Sequence, residues 1–214
     1  LITNRPAVNF SVIPAEIDDY RSLSFELSSI IPLEESYIIE KFQQLKKRPF
    51  QAQTIKRDIE KEQIVAIEEQ KYKFKGTLLT VQPERKYLYQ ELAAHVLGYV
   101  NEISEEELKT SGYSHLSGGD IVGKSGIEKY YDNYLRGEKG NKEVEVDALG
   151  REILTLNSLE PVAGNDIHLT IDSDLQQYIQ NIMIGKKGAV IVSDPNTGKI
   201  LSMVSQPTFN PNLF

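Results

Sequence analysis

A mixed α+β fold is the class that this sequence predicts, followed by the opening strands of a second domain. The chain has 214 residues, of which 40% are hydrophobic and 26% are charged, a composition typical of a globular protein with a sizeable core. Period-two apolar patterns, typical of strands, alternate with helical ones over residues 7–135. Two later segments alternate on both sides of a Gly-containing turn, as β-hairpins do.

Residues 7–82 carry six predicted elements in the order strand, helix, helix, strand, helix, strand. Prolines and acidic residues set their ends, because proline interrupts strands and helices and an acidic side chain caps a helix N-terminus. The elements are a strand over 7–13 that ends before Pro14, a helix from Asp18 or Asp19 to Ile30, a helix between Pro32 and Pro49, a strand over 52–57, a helix capped by Asp58, and a strand over 78–82 that ends before Pro83.

Residues 84–137 are predicted as loops joined by short helices. Glycine commonly closes a helix C-terminus, and a Ser–Glu pair three residues apart forms a capping box at an N-terminus. The elements are a short helix closed by Gly98, a helical turn whose capping box is Ser104 with Glu107, a Gly- and Ser-rich loop over 112–126, and a helix over 128–135 that ends at Gly137.

The C-terminal part is predicted to contain two hairpins with a strand and a helix between them. The elements are a hairpin over 141–156 that turns at Ala148-Leu149-Gly150, a strand over 166–172, a helix capped by Ser173 or Asp174 that runs to Ile182, and a hairpin over 188–205 that turns at 194–198. The apolar run 189–192 suits a strand buried on both faces, which a short terminal segment cannot cover alone. We therefore predict two domains, 1–157 and 158–214.

Charge and cysteine content exclude several classes of function. The net charge is −7 and the basic residues are interspersed with acidic ones, so a nucleic-acid partner is not expected. The densest basic run, 46–48, fits the last turn of the second helix, where cations complement the helix dipole. Cysteine is absent, which excludes disulfides, thiolate metal sites and cysteine nucleophiles.

The sequence has no membrane-spanning stretch and no initiator methionine. No run approaches the roughly 18–20 apolar residues that a bilayer requires. The start at Leu1 lacks the features of a signal peptide. We interpret the chain as a processed or excised part of a longer protein whose anchor lies outside it.

One segment matches the phosphate-binding pattern G-x-x-x-x-G-K-[ST], through Gly118, Gly123, Lys124 and Ser125. In nucleotide hydrolases such a loop wraps phosphates with backbone N–H groups, and Asp194 would take the role of the magnesium-holding acid. The context argues against this function, because a phosphate loop follows a buried strand and residues 111–117 are polar. A nucleotide hydrolase is kept as an alternative.

The sequence shows no metal or catalytic constellation. The histidines His95, His115 and His168 lie far apart, so no metal or cofactor is predicted, and His95 is interpreted as a hydrogen-bonded packing residue. No serine is followed by a lysine three positions later, the spacing that would bring a nucleophile and its base together on one helical face. K-T-G is absent too, and no catalytic residue is predicted.

Several ordered motifs resemble those of class B penicillin-binding proteins, in particular the elongation-type penicillin-binding protein 2 group. They are RKYLYQELAAHVLGYV (85–100), DIVGKSGIEKYYDNYLRGEKG (120–140), LTIDSDLQ (169–176) and the segment 188–214. The intact GKSGIE string is closer to the elongation type than to the division type. The motif positions are Arg85, Tyr87, His95, Gly98, Asp120, Gly123, Lys124, Ser125, Gly126, Glu128, Arg136, Gly137, Gly150, Arg151 and Asp172.

The resemblance implies an extracytoplasmic pedestal (dimerisation) domain and the N-terminal edge of an incomplete transpeptidase domain. Proteins of this family have a cytoplasmic tail, one membrane helix, the pedestal, and a serine D,D-transpeptidase that cross-links peptidoglycan stem peptides. Their S-x-x-K, S-x-N and K-T-G motifs follow the stretch that corresponds to Asn210-Pro211-Asn212. The chain is therefore expected to be inactive by itself, with stem peptides and β-lactams binding only the domain beyond it.

The resemblance also implies partners and structural roles. A pedestal of this family contacts a membrane-embedded glycosyltransferase and cell-elongation proteins on the periplasmic face of the inner membrane, and a homodimer is left open. The glycines of 118–126 are expected to serve tight turns and close backbone approach. Arg85, Glu128 and Arg151 are expected to form buried polar links. A scaffolding module without an enzymatic parent is the second alternative.

Overall fold

The computed structural model describes residues 1–45, 49–50, 52–146 and 152–214. Two compact units make up the chain: residues 2–86, and Leu1 together with residues 87–214. In chain order the elements are β1 (Ile2–Val12), α1 (Tyr20–Ile30), α2 (Glu35–Leu45), β2 (Gln53–Lys56), α3 (Lys61–Glu69), β3 (Thr77–Tyr87), α4 (Ala94–Leu97), β4 (Val100–Glu102), β5 (Ile121–Gly123), α5 (Gly126–Tyr130), α6 (Asp132–Leu135), β6 (Asn141–Val146), β7 (Glu152–Leu159), α7 (Ser173–Ile182), β8 (Gly188–Ser193) and β9 (Ile200–Gln206).

Residues 2–86 form a three-stranded sheet with three helices packed on one face. β1 is the central strand in the order β2-β1-β3, and it pairs antiparallel with β2, with Phe10 opposite Lys56. The apolar side chains of β1 alternate with polar ones, which places one set against the helices. The buried core consists of Phe10, Val12, Ile17, Leu23, Leu27, Ile31, Ile38, Phe42, Ile55, Ile59, Ile67 and Phe74.

The other face of this sheet carries hydrogen-bonded polar side chains. Asn9 donates through its amide to Gln82 Oε1 at 3.0 Å, and the Ser11 hydroxyl lies 3.3 Å from that of Thr54 and 3.4 Å from that of Thr80. Asn9 and Ser11 are almost fully buried between their neighbouring strands, so these bonds satisfy groups that water cannot reach. The cross-strand pairs to β3 run in opposite chain directions, which makes β3 antiparallel to β1.

The predicted elements of this unit are confirmed, with corrections at three of their ends. β1 begins at Ile2, five residues before the predicted start, and the basic run 46–48 lies outside the described residues. Asp19 caps α1 by accepting hydrogen bonds from the N–H groups at 21 and 22. Asp58 was predicted to cap the next helix, but this prediction is wrong. Asp58 has a left-handed backbone (φ 48°) and forms an ion pair with Arg5. The N-cap of α3 is Glu60. β3 continues through Pro83 to Tyr87 instead of ending before the proline. β3 is an edge strand, and an edge strand tolerates proline at a position where the N–H group would point away from the sheet.

Residues 87–214 contain three two-stranded ladders and four helices among the described residues. Both predicted hairpins are confirmed: β6 pairs with β7 and β8 pairs with β9, each antiparallel. The turn predicted at 148–150 lies outside the described residues. β4 pairs antiparallel with β5, with Val100 opposite Gly123. Because β5 lies inside 112–126, the prediction of one long loop there is wrong.

Three further predictions in this unit are corrected. The helix expected over 128–135 is two short helices, α5 and α6, that meet at Tyr131. The strand expected over 166–172 is absent from the described structure. These residues make isolated hydrogen bonds to β9 and not a continuous ladder; for example, Asp172 N donates to Leu201 O at 2.8 Å. α7 is capped by Asp172 rather than by Ser173 or Asp174.

The C-terminal hairpin is buried on one face only. Ile191 of β8 is 57% exposed, whereas Val204 of β9 is 2% exposed. The expectation that 189–192 is buried on both faces is therefore not met within this chain. Among the described residues, no helix is long and apolar enough to cross a membrane.

Candidate functional site

A cluster of glycines lets three backbone segments approach each other closer than side chains would permit. A Cβ on Gly98 would lie 1.9 Å from Ser125 O, and a Cβ on Gly126 would lie 2.5 Å from Val96 O. A Cβ on Gly123 would lie 2.0 Å from Glu128 O. Gly98 and Gly126 also have positive φ angles, 80° and 58°. Of the glycines of 118–126 that were expected to serve close backbone approach, Gly123 and Gly126 therefore do so, whereas nothing lies within 4 Å of a Cβ placed on Gly118.

The segment with the phosphate-loop pattern has no free cradle for phosphate. Its residues 121–123 are the strand β5, whose backbone is paired with β4. Gly123 N donates to Asp132 Oδ1 at 2.9 Å, and Lys124 N donates to Tyr99 O at 2.8 Å. A phosphate-binding loop needs such N–H groups pointing together at a ligand. In this fold they are used for internal hydrogen bonds.

The lysine of the pattern is also engaged. Lys124 Nζ forms an ion pair with Glu107, and the two side chains are only 16% and 29% exposed. Glu107 completes the predicted capping box, since Ser104 N donates to its carboxylate and its own N–H donates to Ser104 Oγ. The hydrogen bond from Lys124 lowers the pKa of Glu107 from 4.5 to about 2.

Two more ion pairs fix the chain around α6. Arg136 pairs with Asp132 four residues earlier, and its guanidinium lies 5.6 Å from the centre of the Tyr113 ring. Burial lowers the pKa of Arg136. Lys139 pairs with Asp120, which also accepts from Ser117 N at 2.9 Å. The motif residues Asp120 and Arg136 therefore have structural partners.

Three carboxamide side chains form a second group of contacts, here called the carboxamide junction (Gln176, Gln180 and Asn212). Gln176 is fully buried, and its amide donates to Met203 O at 3.0 Å. Its carbonyl accepts from Met203 N at 2.8 Å and from Ser202 Oγ at 2.9 Å. One side chain thus satisfies both backbone groups of Met203 and holds α7 against β9.

Gln180 and Asn212 make equivalent contacts to residues 87–93. Gln180 donates to Glu91 O at 3.1 Å and accepts from Ala93 N at 3.4 Å. Asn212 accepts from Tyr87 N and donates to Tyr87 O, both at 3.0 Å. The segment 88–93 is irregular, and these side chains add to the turn hydrogen bonds that its backbone makes, such as Gln90 N to Tyr87 O at 3.2 Å and Leu92 N to Tyr89 O at 3.1 Å.

Aromatic contacts complete this junction. His95 forms a hydrogen bond of 2.9 Å with Pro207 O, and its ring meets Phe209 edge-on at 5.0 Å. Phe209 packs in turn against Tyr99 and Phe214. The interpretation of His95 as a hydrogen-bonded packing residue is confirmed. Among the described residues no cluster of His, Asp or Glu could hold a metal ion.

The predicted polar links are placed as follows. Arg85 donates to Asn4 Oδ1 at 2.8 Å at an exposed position, so this link is not buried as expected. Glu128 is 2% exposed. Gly150 and Arg151 lie outside the described residues, so the link through Arg151 stays a prediction. The backbone of Tyr87 is bonded by Asn212 of the carboxamide junction, Gly137 has a positive φ of 75°, and Asp172 caps α7.

Sequence reasoning missed all three residues of the carboxamide junction. Gln176 and Gln180 lie four residues apart on α7, and a glutamine in a helix is ordinarily read as solvent-facing. The four-residue spacing itself was a usable signal, because it places both side chains on one face. Asn212 lies in a motif that was recognised only by resemblance.

Comparisons with known proteins agree with this geometry. A family model described as Penicillin-binding Protein dimerisation domain matches residues 1–169. Over the whole chain, the sequence is 36% identical to Peptidoglycan D,D-transpeptidase MrdA of Salmonella typhimurium and 34% identical to MrdA of Escherichia coli K12, in each case covering 35% of the relative. It is 31% identical to Penicillin-binding protein 3 of Bacillus subtilis. The chain thus spans about a third of the length of these relatives.

A solved structure has the same fold. It is a complex between Penicillin-Binding Protein (PBP2) and MreC from Helicobacter pylori, and the likeness has a TM-score of 0.74 at 26% identity. The match covers 99% of this chain and 40% of the other. The pedestal-type α+β fold that the sequence predicts is therefore confirmed.

The two glycines of the phosphate-loop pattern provide a matched test. Gly123→Ala should destabilise the chain by several kcal/mol or prevent folding, because its Cβ would overlap Glu128 O. Gly118→Ala should be close to neutral, since nothing lies within 4 Å of its Cβ position. Urea unfolding followed by circular dichroism measures both. Equal effects of the two substitutions would contradict the close-approach role.

The Lys124–Glu107 pair should make stability depend on pH in the acidic range. Because the folded pKa of Glu107 is about 2 and its ordinary value is 4.5, the contribution is complete above 4.5 and is lost as the pH falls towards 2. Glu107→Gln should flatten this part of the stability profile, measured as urea midpoints from pH 6 to pH 2.5. The exposed Glu106→Gln serves as control, and an unchanged slope in Glu107→Gln would disprove the assignment.

Proposed function

The chain belongs to the penicillin-binding protein family through its dimerisation domain, and on that premise we propose that it is the extracytoplasmic, non-catalytic region of an elongation-type peptidoglycan D,D-transpeptidase. The relatives named MrdA carry this activity in their names and are about three times as long as the aligned region. No S-x-x-K, S-x-N or K-T-G motif occurs in the 214 residues. The serine chemistry would therefore belong to the part of the longer protein that this chain does not include.

The carboxamide junction supports a role in positioning the catalytic domain. We place the domain boundary at 157/158, so that Tyr87, Glu91 and Ala93 belong to the pedestal, and Gln180 and Asn212 to the edge of the transpeptidase domain. The hydrogen bonds of Gln180 and Asn212 then join the two domains through backbone groups. Backbone partners of fixed geometry resist rotation better than contacts between flexible side chains would.

The same family membership supports our proposals for the partners and the location of the chain. The solved neighbour is a PBP2 in complex with MreC, and we propose that a cell-elongation protein of that type binds this region too. A membrane-embedded glycosyltransferase is the second partner proposed. The longer protein would be anchored in the inner membrane, with this region on the periplasmic side. No cofactor is required for an acyl-enzyme mechanism of this kind.

Covalent labelling by a fluorescent penicillin tests the proposed activity. This chain alone should not be labelled, while the parent protein extended beyond Phe214 should be, because acylation requires the catalytic serine. In-gel fluorescence after denaturation measures the adduct. Absence of labelling in the extended protein would favour the scaffolding alternative, and magnesium-dependent nucleotide binding that Lys124→Ala abolishes would favour the nucleotide hydrolase.

The positioning role makes a separate prediction in the longer protein. Gln180→Leu should cost about 1–3 kcal/mol of stability, since it removes the hydrogen bonds to Glu91 O and Ala93 N, although Glu91 O keeps its bond from Thr208 Oγ1. It should also slow penicillin acylation. Gln177→Leu is the matched control on the same helix, because its amide bonds only to Asn181. Stopped-flow acylation rates and thermal unfolding distinguish the effects. Lost stability with an unchanged acylation rate would mean that the junction serves folding alone.

A further inference from the structure

A cavity of about 240 Å³, here called the α7 cavity, lies between α7 and residues 89–92. Five of its nine lining residues carry a carboxamide: Gln90, Gln177, Gln180, Asn181 and Gln206. The volume corresponds to about eight water molecules of roughly 30 Å³ each, which is less than the roughly 300–1,000 Å³ of sites for drug-sized ligands. The α7 cavity therefore suits a single ring-sized unit of a ligand.

The carboxamides at the rim of the α7 cavity are held in place and still have groups to offer. Gln177 donates to Asn181 Oδ1 at 2.9 Å, and Gln206 accepts from Thr208 N at 3.0 Å. In the described part of the chain, the other halves of these side chains, Gln177 Oε1, Asn181 Nδ2 and Gln206 Nε2, make no hydrogen bond to the protein. A ligand in the cavity would therefore meet one acceptor and two donors that the existing bonds orient.

The backbone at the rim is strained at Gln90. Its φ angle is 49°, in the left-handed region that favours glycine. Residues with side chains keep such a conformation where the surrounding structure imposes it, and they are concentrated at ligand-binding sites. This outlier points to a binding site independently of the volume and the polarity of the cavity.

The charge of the lining favours an uncharged ligand. Among the described residues that line the cavity, Glu91 is the only charged one, and its side chain is exposed. An anion would meet this carboxylate with no counter-charge beside it, and a cation would gain little from a single exposed carboxylate. A carboxamide instead offers a donor and an acceptor side by side, which suits a neutral group that also has both.

The carboxamides of this chain already bind one kind of neutral group, the secondary amide of the main chain. Gln176 bonds to both backbone groups of Met203, and Asn212 bonds to both backbone groups of Tyr87. In both cases the side-chain amide pairs with an N–H donor and a C=O acceptor. The same pairing at the rim of the α7 cavity would recognise a secondary amide in a ligand.

An apolar surface lies beside these carboxamides. Tyr89 and Ile184 line the cavity and are 59% and 70% exposed. A sugar ring has a face of C–H groups that packs on an aromatic ring, and its hydroxyl groups both donate to and accept from amides and carboxylates. An acetamido sugar adds a secondary amide, so it combines all the groups that the cavity can contact in one ring-sized unit.

We propose that the α7 cavity binds one acetamido sugar unit of a glycan, with the acetamido group on Gln177 and Asn181 and the sugar ring against Tyr89. The binding is inferred from the cavity and requires no catalytic serine. The identity of the glycan as a peptidoglycan strand rests on the proposed function. The chain would then contact the polymer that the longer protein cross-links.

Titration with two disaccharides tests the class of ligand. N,N′-diacetylchitobiose carries acetamido groups where cellobiose carries hydroxyl groups, and the two are otherwise alike. In proton–nitrogen NMR spectra of this chain, N,N′-diacetylchitobiose should shift the side-chain amide signals of Gln177 and Asn181. It should bind roughly fivefold more tightly than cellobiose, as expected for one additional neutral hydrogen bond. N-acetylalanine methylamide, a secondary amide without a sugar ring, should bind more weakly than N,N′-diacetylchitobiose.

Two exposed asparagines in helices provide matched variants. Asn181→Leu should remove the preference for N,N′-diacetylchitobiose, while Asn133→Leu, at a position that does not line the cavity, should keep it. Tyr89→Ala should weaken the binding of both disaccharides. Circular dichroism checks that each variant is folded. Equal binding of the two disaccharides, a preference that survives Asn181→Leu, or tighter binding of N-acetylalanine methylamide would overturn the proposal, and the last result would assign the cavity to peptides.

Penicillin labelling of the longer protein separates this inference from the proposed function. Labelling of the longer protein, together with no disaccharide binding by this chain, would disprove the sugar site and leave the transpeptidase assignment in place. Disaccharide binding without labelling would confirm the sugar site and remove the reason to identify the glycan as peptidoglycan.

Discussion

The need to satisfy backbone groups that no helix or strand can reach governs the architecture of residues 87–214. Segment 88–93 is irregular and includes two non-glycine residues with positive φ, Gln90 and Ala93. Unpaired backbone groups in such a segment would each cost free energy comparable to a lost hydrogen bond. Gln180 bonds to Glu91 O and Ala93 N within this segment, and Asn212 bonds to both backbone groups of Tyr87 just before it. These bonds hold α7 and the C-terminal turn against residues 87–93.

Close backbone approach is the second constraint, and it explains a pattern that resembles a phosphate loop. Gly123 is required where β5 passes Glu128, whereas Gly118 has open space around its Cβ position. A phosphate cradle would make comparable demands on both glycines, and it would leave the lysine free. Here Lys124 is paired with Glu107 and its N–H is bonded to Tyr99 O. The eight-residue pattern therefore reflects the pairing and packing of β5 and not a phosphate-binding site.

Local signals explain which parts of the fold could be predicted from sequence. The cap at Asp19, the capping box of Ser104 with Glu107 and both hairpins depend on residues close in the chain. The prediction of a strand over 166–172 was wrong because these residues make isolated hydrogen bonds to β9 instead of a ladder. The bonds of Gln180 and Asn212 were not predicted because they join residues 87 to 125 positions apart in the chain. No local pattern encodes which distant backbone group a glutamine will meet.

The exposure of the C-terminal hairpin agrees with the proposed function. Ile191 on β8 is 57% exposed, whereas Val204 on β9 is 2% exposed. Under the proposed function, the rest of the transpeptidase domain would cover Ile191. A hairpin with one face covered by its own chain and the other exposed is what the edge of a larger sheet presents. The exposure of β8 therefore supports the interpretation of residues 158–214 as the edge of a larger domain.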